Sequence, residues 1–193
     1  MKSLCLFCGS NKGTRPEYQA AAAAFGRTLA EEGITLVYGA GKVGLMGVAA
    51  DAALAAGGKV IGVIPEFLKA KEVAHLGLTE LHVTQTMHQR KAMMAELSDG
   101  FVALPGGFGT FDELFEILTW AQLSVHNKPV GLLDIAGFFQ PLLALSRHAV
   151  AEGFVPQGNM DLFSHSADIS QLLQTMRAYQ PKQTAKWLDL AKT

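Results

Sequence analysis

The stretch Leu104-Pro105-Gly106-Gly107-Phe108-Gly109-Thr110-Phe111-Asp112-Glu113 restricts how this chain can fold more than any other. It closes a continuous apolar run at 101–104 and opens an apolar repeat of helical period at Leu114, Phe115, Ile117, Leu118 and Ala121. A run that is apolar at every position predicts a strand buried on both faces. Three glycines between that strand and a helix expose backbone N–H groups at the positive end of the helix dipole. The segment therefore reads as a phosphate cradle at the carboxyl end of a strand. Glu113, three residues after Thr110, puts a carboxylate in the first helical turn. The same Thr-x-x-Glu spacing is that of a capping box, so a helix cap and a functional carboxylate both stay open at this point.

Upstream, the chain alternates strand, glycine turn and helix. An apolar run at 4–7 breaks at Gly9-Ser10-Asn11-Lys12-Gly13, and an alanine-rich helix follows over 16–32. A strand at 34–38 leads through Gly39-Ala40-Gly41-Lys42-Val43-Gly44 to a helix reaching residue 56, and a third strand spans 59–64. Buried strands alternating with helices predict an α/β fold, a Rossmann-like three-layer sandwich with a central parallel sheet. Ligands of such sheets bind at the carboxyl ends of the strands. The spacing Gly39-x-Gly41-x-x-Gly44 is that of a dinucleotide fingerprint. No acidic residue ends the next strand, which runs into Ile64-Pro65, so the loop is read as a second close approach of backbone to ligand and not as a nicotinamide site.

Residues 66–79 are polar and mixed and read as a flexible excursion over the binding edge. A short strand at 81–84 precedes a helix opened by a second capping box, Thr86 with Gln89. Met87, Arg90, Met94 and Leu97 share one face of that helix. An arginine on an apolar stripe needs an anionic partner or an exit to water. Cations are unfavourable near a helix N-terminus, so Arg90 and Lys91 in its first turns point to a bound anion. Beyond the central motif, a strand at 128–135, a helix at 138–152, a short apolar segment at Leu162-Phe163 and a helix at 168–179 complete a single domain over 1–180. A surface tail is expected at 181–193, with the surface character starting at Tyr179.

A formal net charge of -1, from 16 basic and 17 acidic residues, gives no bulk attraction to nucleic acid or an anionic membrane, so neither is an expected partner. The N-terminal apolar run is too short for a signal-peptide core, and no run reaches the roughly 18 apolar residues of a spanning helix; a cytoplasmic protein is expected. Cys5 and Cys8, three apart on a strand, point to opposite faces and read as two buried thiols. The six histidines, His75 among them, show no metal-ligand spacing and receive no role.

On these residues the chain resembles the LONELY GUY family, whose members are cytokinin-riboside 5′-monophosphate phosphoribohydrolases and were often mislabelled lysine decarboxylases. The family motif Pro-Gly-Gly-x-Gly-Thr-x-x-Glu is matched from its proline at Pro105 to its glutamate at Glu113. Met87-His88 followed by Arg90-Lys91 matches the second motif, and Phe7-Cys8-Gly9-Ser10 and Gly44-Leu45-Met46-Gly47 match the first two loops. The likeness covers most of the chain. Ala40 departs from it where a glycine is usual. Thr86 departs where an acidic residue often precedes the Met-His pair, a change that bears on which base is accepted. The resemblance implies Arg90 and Glu113 as the catalytic pair. It implies Gly106, Gly107, Gly109 and Thr110 as the phosphate site, Ser10 and Gly44 on the nucleotide-edge loops, and Met87 and Lys91 in the binding segment. It further implies hydrolysis of the N-glycosidic bond of a purine nucleoside 5′-monophosphate with no cofactor and no metal, and a homodimer in which the helix around Trp120 is a candidate contact. A pyridoxal decarboxylase needs a Schiff-base lysine in a cofactor loop, and Lys91 sits on a helix start instead. The alternative is a non-catalytic nucleotide-binding or carrier protein on the same fold.

Overall fold

The computed structural model describes residues 1–69 and 74–181. The strands are β1 (Ser3–Phe7), β2 (Thr35–Tyr38), β3 (Val60–Pro65), β4 (Glu80–Thr84), β5 (Phe101–Ala103), β6 (Val130–Leu133) and β7 (Ser164–Ser166). The helices are α1 (Pro16–Glu31), α2 (Gly44–Ala55), the single turn α3 (Glu66–Lys69), α4 (Met87–Glu96), α5 (Phe108–Gln122), α6 (Gln140–Ala151) and α7 (Ile169–Arg177). Short 3₁₀ turns occupy Ile135–Gly137 and Gln157–Leu162.

All seven strands are parallel, in the order β4-β3-β2-β1-β5-β6-β7. The expected α/β sandwich with a central parallel sheet is the observed fold. Alternation along β1 sends Leu4 and Leu6 to one face, packed with Phe25 and Leu29 of α1, and Cys5 and Phe7 to the other, packed with Met94 of α4 and Leu114 of α5. Cys5 and Cys8 lie in different core layers, both as free thiols, as their spacing requires. Burial raises the pKa of each well above that of an ordinary thiol, with the negative charge of Glu113 adding to the effect.

The strand order reverses between β1 and β5. At their carboxyl ends the loops leave in opposite directions and open a crevice, the topological switch point where ligands of such sheets bind. Three hydrogen bonds stitch the crevice together: Leu104 N to Phe7 O (2.9 Å), Gly9 N to Pro105 O (3.0 Å) and Leu45 N to Gly9 O (2.9 Å).

Three expectations change. The seventh strand, polar Ser164-His165-Ser166, follows the apolar pair Leu162-Phe163 and pairs with β6 through its backbone and the Ser164 hydroxyl, so no apolar pattern marks it. The excursion at 66–79 is tied down at its described end, where Ala74 forms an antiparallel bridge with Gly41 and His75 is buried. Tyr179 is half-buried: with Pro129, Phe163 and Met176 it lines a cavity of about 360 Å³ beside β6 and β7, and burial raises its phenol pKa. Apart from Pro181, the expected tail lies outside the described residues.

Helices α1 and α2 cross backbone to backbone at Gly26, where a Cβ would stand 2.1 Å from the carbonyl oxygen of Ala49. Alanine is worth roughly 1 kcal/mol more than glycine in an exposed helix, but this clash is with main chain that cannot step aside. Gly26→Ala is expected to lower the unfolding free energy by about 2 kcal/mol in urea titrations, and a stabilised variant would show that the crossing is looser than described.

Candidate active site

The central motif folds differently from a capping box. Helix α5 starts at Phe108, with Gly107 in extended conformation (φ -103°, ψ -156°) at its N-cap and no side-chain cap. Thr110 is then the third helical residue, buried, its hydroxyl lying where a Cβ on Gly106 would stand (2.1 Å). Glu113 falls in the second turn and not the first. Thr110 is thus no cap, and the N–H groups of the first turn of α5 have no side-chain acceptor from an N-cap. Gly107 and Gly109 are exposed, and a Cβ on either would meet nothing within 4 Å. Protein packing does not account for these two glycines, whereas an anion seated on the helix start would.

Helix α4 starts as its sequence predicts. Thr86 Oγ1 accepts from Gln89 N (3.1 Å), and Gln89 Oε1 accepts from Gln85 N (2.9 Å), one residue before the expected partner. Arg90, one turn in, is only 5% exposed. Most of its surface is taken up by the protein itself. Its Nε donates to Val63 O and its Nη2 to Gly39 O, both at 3.1 Å, and Nη1 faces Met87 Sδ at 3.9 Å. These carbonyls, at the ends of β3 and β2, offset part of the cost of burying the charge while leaving guanidinium N–H groups for a ligand. Gly39 is glycine because a Cβ there would stand 1.8 Å from Nη2 of Arg90.

The glycines of the loop after β2 are accounted for by protein neighbours, and Leu45 and Met46 just beyond it line the two cavities. Gly39 makes room for Arg90. Gly44 (φ +70°) makes room for the Ser10 carbonyl carbon, 2.3 Å from where its Cβ would be, and Gly47 for the Lys42 carbonyl, 1.8 Å away. Gly44 shapes the crevice from behind.

Arg90 and Glu113 line one cavity of about 400 Å³, a size typical of small-molecule sites. Ser10, Met87, Gly107, Gly109 and Thr110 line it too, so seven of the expected residues meet there. Gly106 lines an adjoining cavity of about 260 Å³, which shares Ser10, Asn11 and Gly107 with the first and is walled by Tyr18 and Phe138. Sequence reading missed Asn11, Met46, Leu68 and Phe108 on the walls of the main cavity. Phe108 occupies the variable position of the motif and is 93% exposed at the rim, a placement that no periodicity signals.

Lys91 is the expected residue that the structure directs elsewhere. Its ammonium lies 3.2 Å from Asp112 Oδ2 and 3.0 Å from Glu116 Oε2, and it lines neither cavity. Desolvation opposes its charge, but the two carboxylates outweigh it and raise the pKa. Lys91 ties α4 to α5 beside Arg90 and Glu113, the sequence neighbours of Lys91 and of its partner Asp112. Among the described residues no group of three or more His, Cys, Asp or Glu is placed to hold a metal, and no helix is long and apolar enough to cross a membrane.

Residues 46–176 match the family described as "possible lysine decarboxylase". The chain is 48% identical over 178 residues to a cytokinin riboside 5′-monophosphate phosphoribohydrolase of Rhodococcoides fascians, covering 92% of this chain and 90% of that protein. It is 44% identical over 181 residues to the rice enzyme of that name, covering 94% of this chain and 75% of the relative. Among solved structures, the molybdenum cofactor carrier protein of Chlamydomonas reinhardtii superposes with a TM-score of 0.68 at 26% identity, over 93% of this chain and 100% of that one. The molybdenum cofactor binding protein of Rippkaea orientalis has the same fold, with a TM-score of 0.68 at 21% identity over 92% of this chain and 97% of that one.

The glycines of the motif divide by what surrounds them. Gly106→Ala is expected to lose roughly 1–3 kcal/mol of stability, because its Cβ would meet Thr110 Oγ1 and, at 2.8 Å, Gly9 N. Gly107→Ala should unfold within about 0.5 kcal/mol of the parent yet bind inorganic phosphate about tenfold more weakly by calorimetry, the equivalent of one lost hydrogen bond. Unchanged phosphate affinity would separate the cradle from Gly107.

Proposed function

The chain belongs to the cytokinin riboside 5′-monophosphate phosphoribohydrolase family, and on that premise we propose that it hydrolyses purine nucleoside 5′-monophosphates, AMP and N6-modified adenylates among them, in the cavity between β1 and β5. As a member it is a hydrolase that cleaves a nucleoside monophosphate to free base and ribose 5-phosphate. The observation that carries the assignment to this cavity is the meeting of a buried arginine and a carboxylate on its wall, beside a helix start with open glycines.

The phosphate sits on the first turn of α5, against Gly107, Gly109 and Thr110, held by backbone dipoles. That places the ribose near Glu113, one turn further along the same helix. As the bond between C1′ and the purine nitrogen breaks, its electron pair leaves with the base and positive charge develops on the ribose ring. Glu113 stabilises that charge and takes a proton from the water that adds to C1′. Arg90, with its inner N–H groups held by Gly39 and Val63, stabilises the negative charge on the departing base. The phosphate anchor supplies orientation, so the monophosphate and not the nucleoside is the substrate.

No pyridoxal chemistry is assigned to Lys91, whose amine is engaged by Asp112 and Glu116. Carriage of a nucleotide-like ligand without turnover is the competing reading, favoured by the fold shared with the Chlamydomonas reinhardtii carrier. Carriage alone gives no reason for Arg90 and Glu113 to face one cavity. A homodimer and a cytoplasmic location belong to the same proposal. Phe115 and Leu123 stay exposed on α5, and half-buried Trp120 packs inward against the core, so the exposed pair is the better candidate contact.

Incubation with AMP, isopentenyladenosine monophosphate, GMP, CMP and the matching nucleosides, with chromatographic measurement of released base, tests the reading. Base is expected from purine monophosphates only. Glu113→Gln should lower kcat by about 10³-fold while AMP binding persists, and Arg90→Ala should weaken both. Tight AMP binding with no base released by the parent protein would establish the carrier instead.

A further inference from the structure

His75, which the catalytic proposal does not use, is buried at 6% exposure and has both ring nitrogens engaged. Gly77 N donates to its Nδ1 at 3.1 Å, so Nδ1 carries a lone pair. In a neutral ring the proton is then on Nε2, which lies 2.8 Å from Asp51 Oδ1 on α2 and donates to it. The main chain around the ring is paired as well. His75 N donates to Ala40 O at 2.9 Å, and Ala74 bridges Gly41.

What these contacts restrain is strained. Ala40 is fully buried with φ +60°, a left-handed conformation that costs a non-glycine residue roughly 1–2 kcal/mol. The peptide unit turned by that angle is the one that carries the Gly39 carbonyl, and the Gly39 carbonyl holds Nη2 of Arg90. If Ala40 relaxed to negative φ, this peptide would rotate and take its oxygen off the guanidinium. Of the two carbonyls on Arg90, that of Val63 belongs to a residue paired with His82 of β4 in the sheet, whereas Gly39 O lies beyond the end of β2.

We propose that His75 is a positioning residue for Arg90: as its Nε2–H tautomer it clamps residues 74–77 to Asp51 of α2, which holds Ala40 left-handed and keeps the Gly39 carbonyl on the guanidinium. The proposal rests on Arg90 acting in the phosphoribohydrolase reaction. The phosphate cradle at Gly107 and Gly109 lies on α5 and is independent of this clamp.

The test is steady-state hydrolysis of AMP by the full chain and three variants, with ring-nitrogen NMR of His75 in the parent. His75→Ala is expected to lower kcat about tenfold and to raise KM for AMP by no more than about threefold, because the guanidinium is loosened and not removed and the phosphate cradle is untouched. Asp51→Ala, a change at a largely exposed side chain that leaves the core intact, should move kcat in the same direction. Asp51→Asn, which keeps an oxygen acceptor for Nε2–H, should restore kcat to within about twofold of the parent. A purely structural histidine would lower the melting temperature and leave kcat and KM at 25 °C unchanged, and that result overturns the proposal. So does an Asp51→Ala enzyme with parental kcat. A parent that releases no base would sink the hydrolase assignment by itself. The clamp would then stand or fall on the ring: a protonated Nε2 with bare Nδ1 supports it, and a protonated Nδ1 overturns it.

Discussion

The geometry of the site depends on one buried charge. The guanidinium of Arg90 is held by two main-chain carbonyls, one within β3 and one just beyond β2, and a charge with so little access to water tolerates little movement of either. Much of the local architecture serves this requirement. Gly39 lacks a side chain so that the guanidinium can lie against it. Ala40 accepts an unfavourable φ, and Ala74 and His75 pair with the main chain on either side to hold it there. Lys91, the next residue along, bridges to α5, so that the helix bearing the cation and the helix bearing Glu113 are tied close to their functional side chains.

The architecture was largely legible in the sequence, because buried parallel strands and glycine turns leave strong patterns. The runs at β1, β2, β3 and β5 are apolar at nearly every position, and each expected boundary falls within one or two residues of the observed one. β7 was not legible, since a three-residue polar strand is held by backbone pairing that leaves no trace in side-chain chemistry. The site was legible in its membership more than in its wiring. Arg90, Glu113, Ser10 and Met87 do line one cavity, but spacing could not show that Lys91 turns aside to Asp112 and Glu116.

Two local signals were ambiguous for the same physical reason. Thr110 and Glu113 have the spacing of a cap, and Gly39, Gly41 and Gly44 that of a dinucleotide loop. Each pattern names a backbone geometry without saying what the geometry serves. A Cβ on Gly44 would strike the Ser10 main chain, so that glycine is there for the protein; a Cβ on Gly107 would strike nothing, so that one is there for something else. Only the surroundings separate the two, and they come from residues distant in sequence.

The start of α5 carries no side-chain cap, and among the described residues no lysine or histidine joins Arg90 on the cavity wall. Peptide dipoles do not titrate, so a phosphate held there meets the same field in mildly acidic and mildly alkaline solution. The protonation of the ligand itself, near the second phosphate pKa of about 6, becomes the main chemical variable in its capture. A monoester that is fully dianionic and one that is half protonated are told apart by their own charge on dipoles that stay fixed. The cradle thus answers to the ionisation of its ligand and stays indifferent to its own.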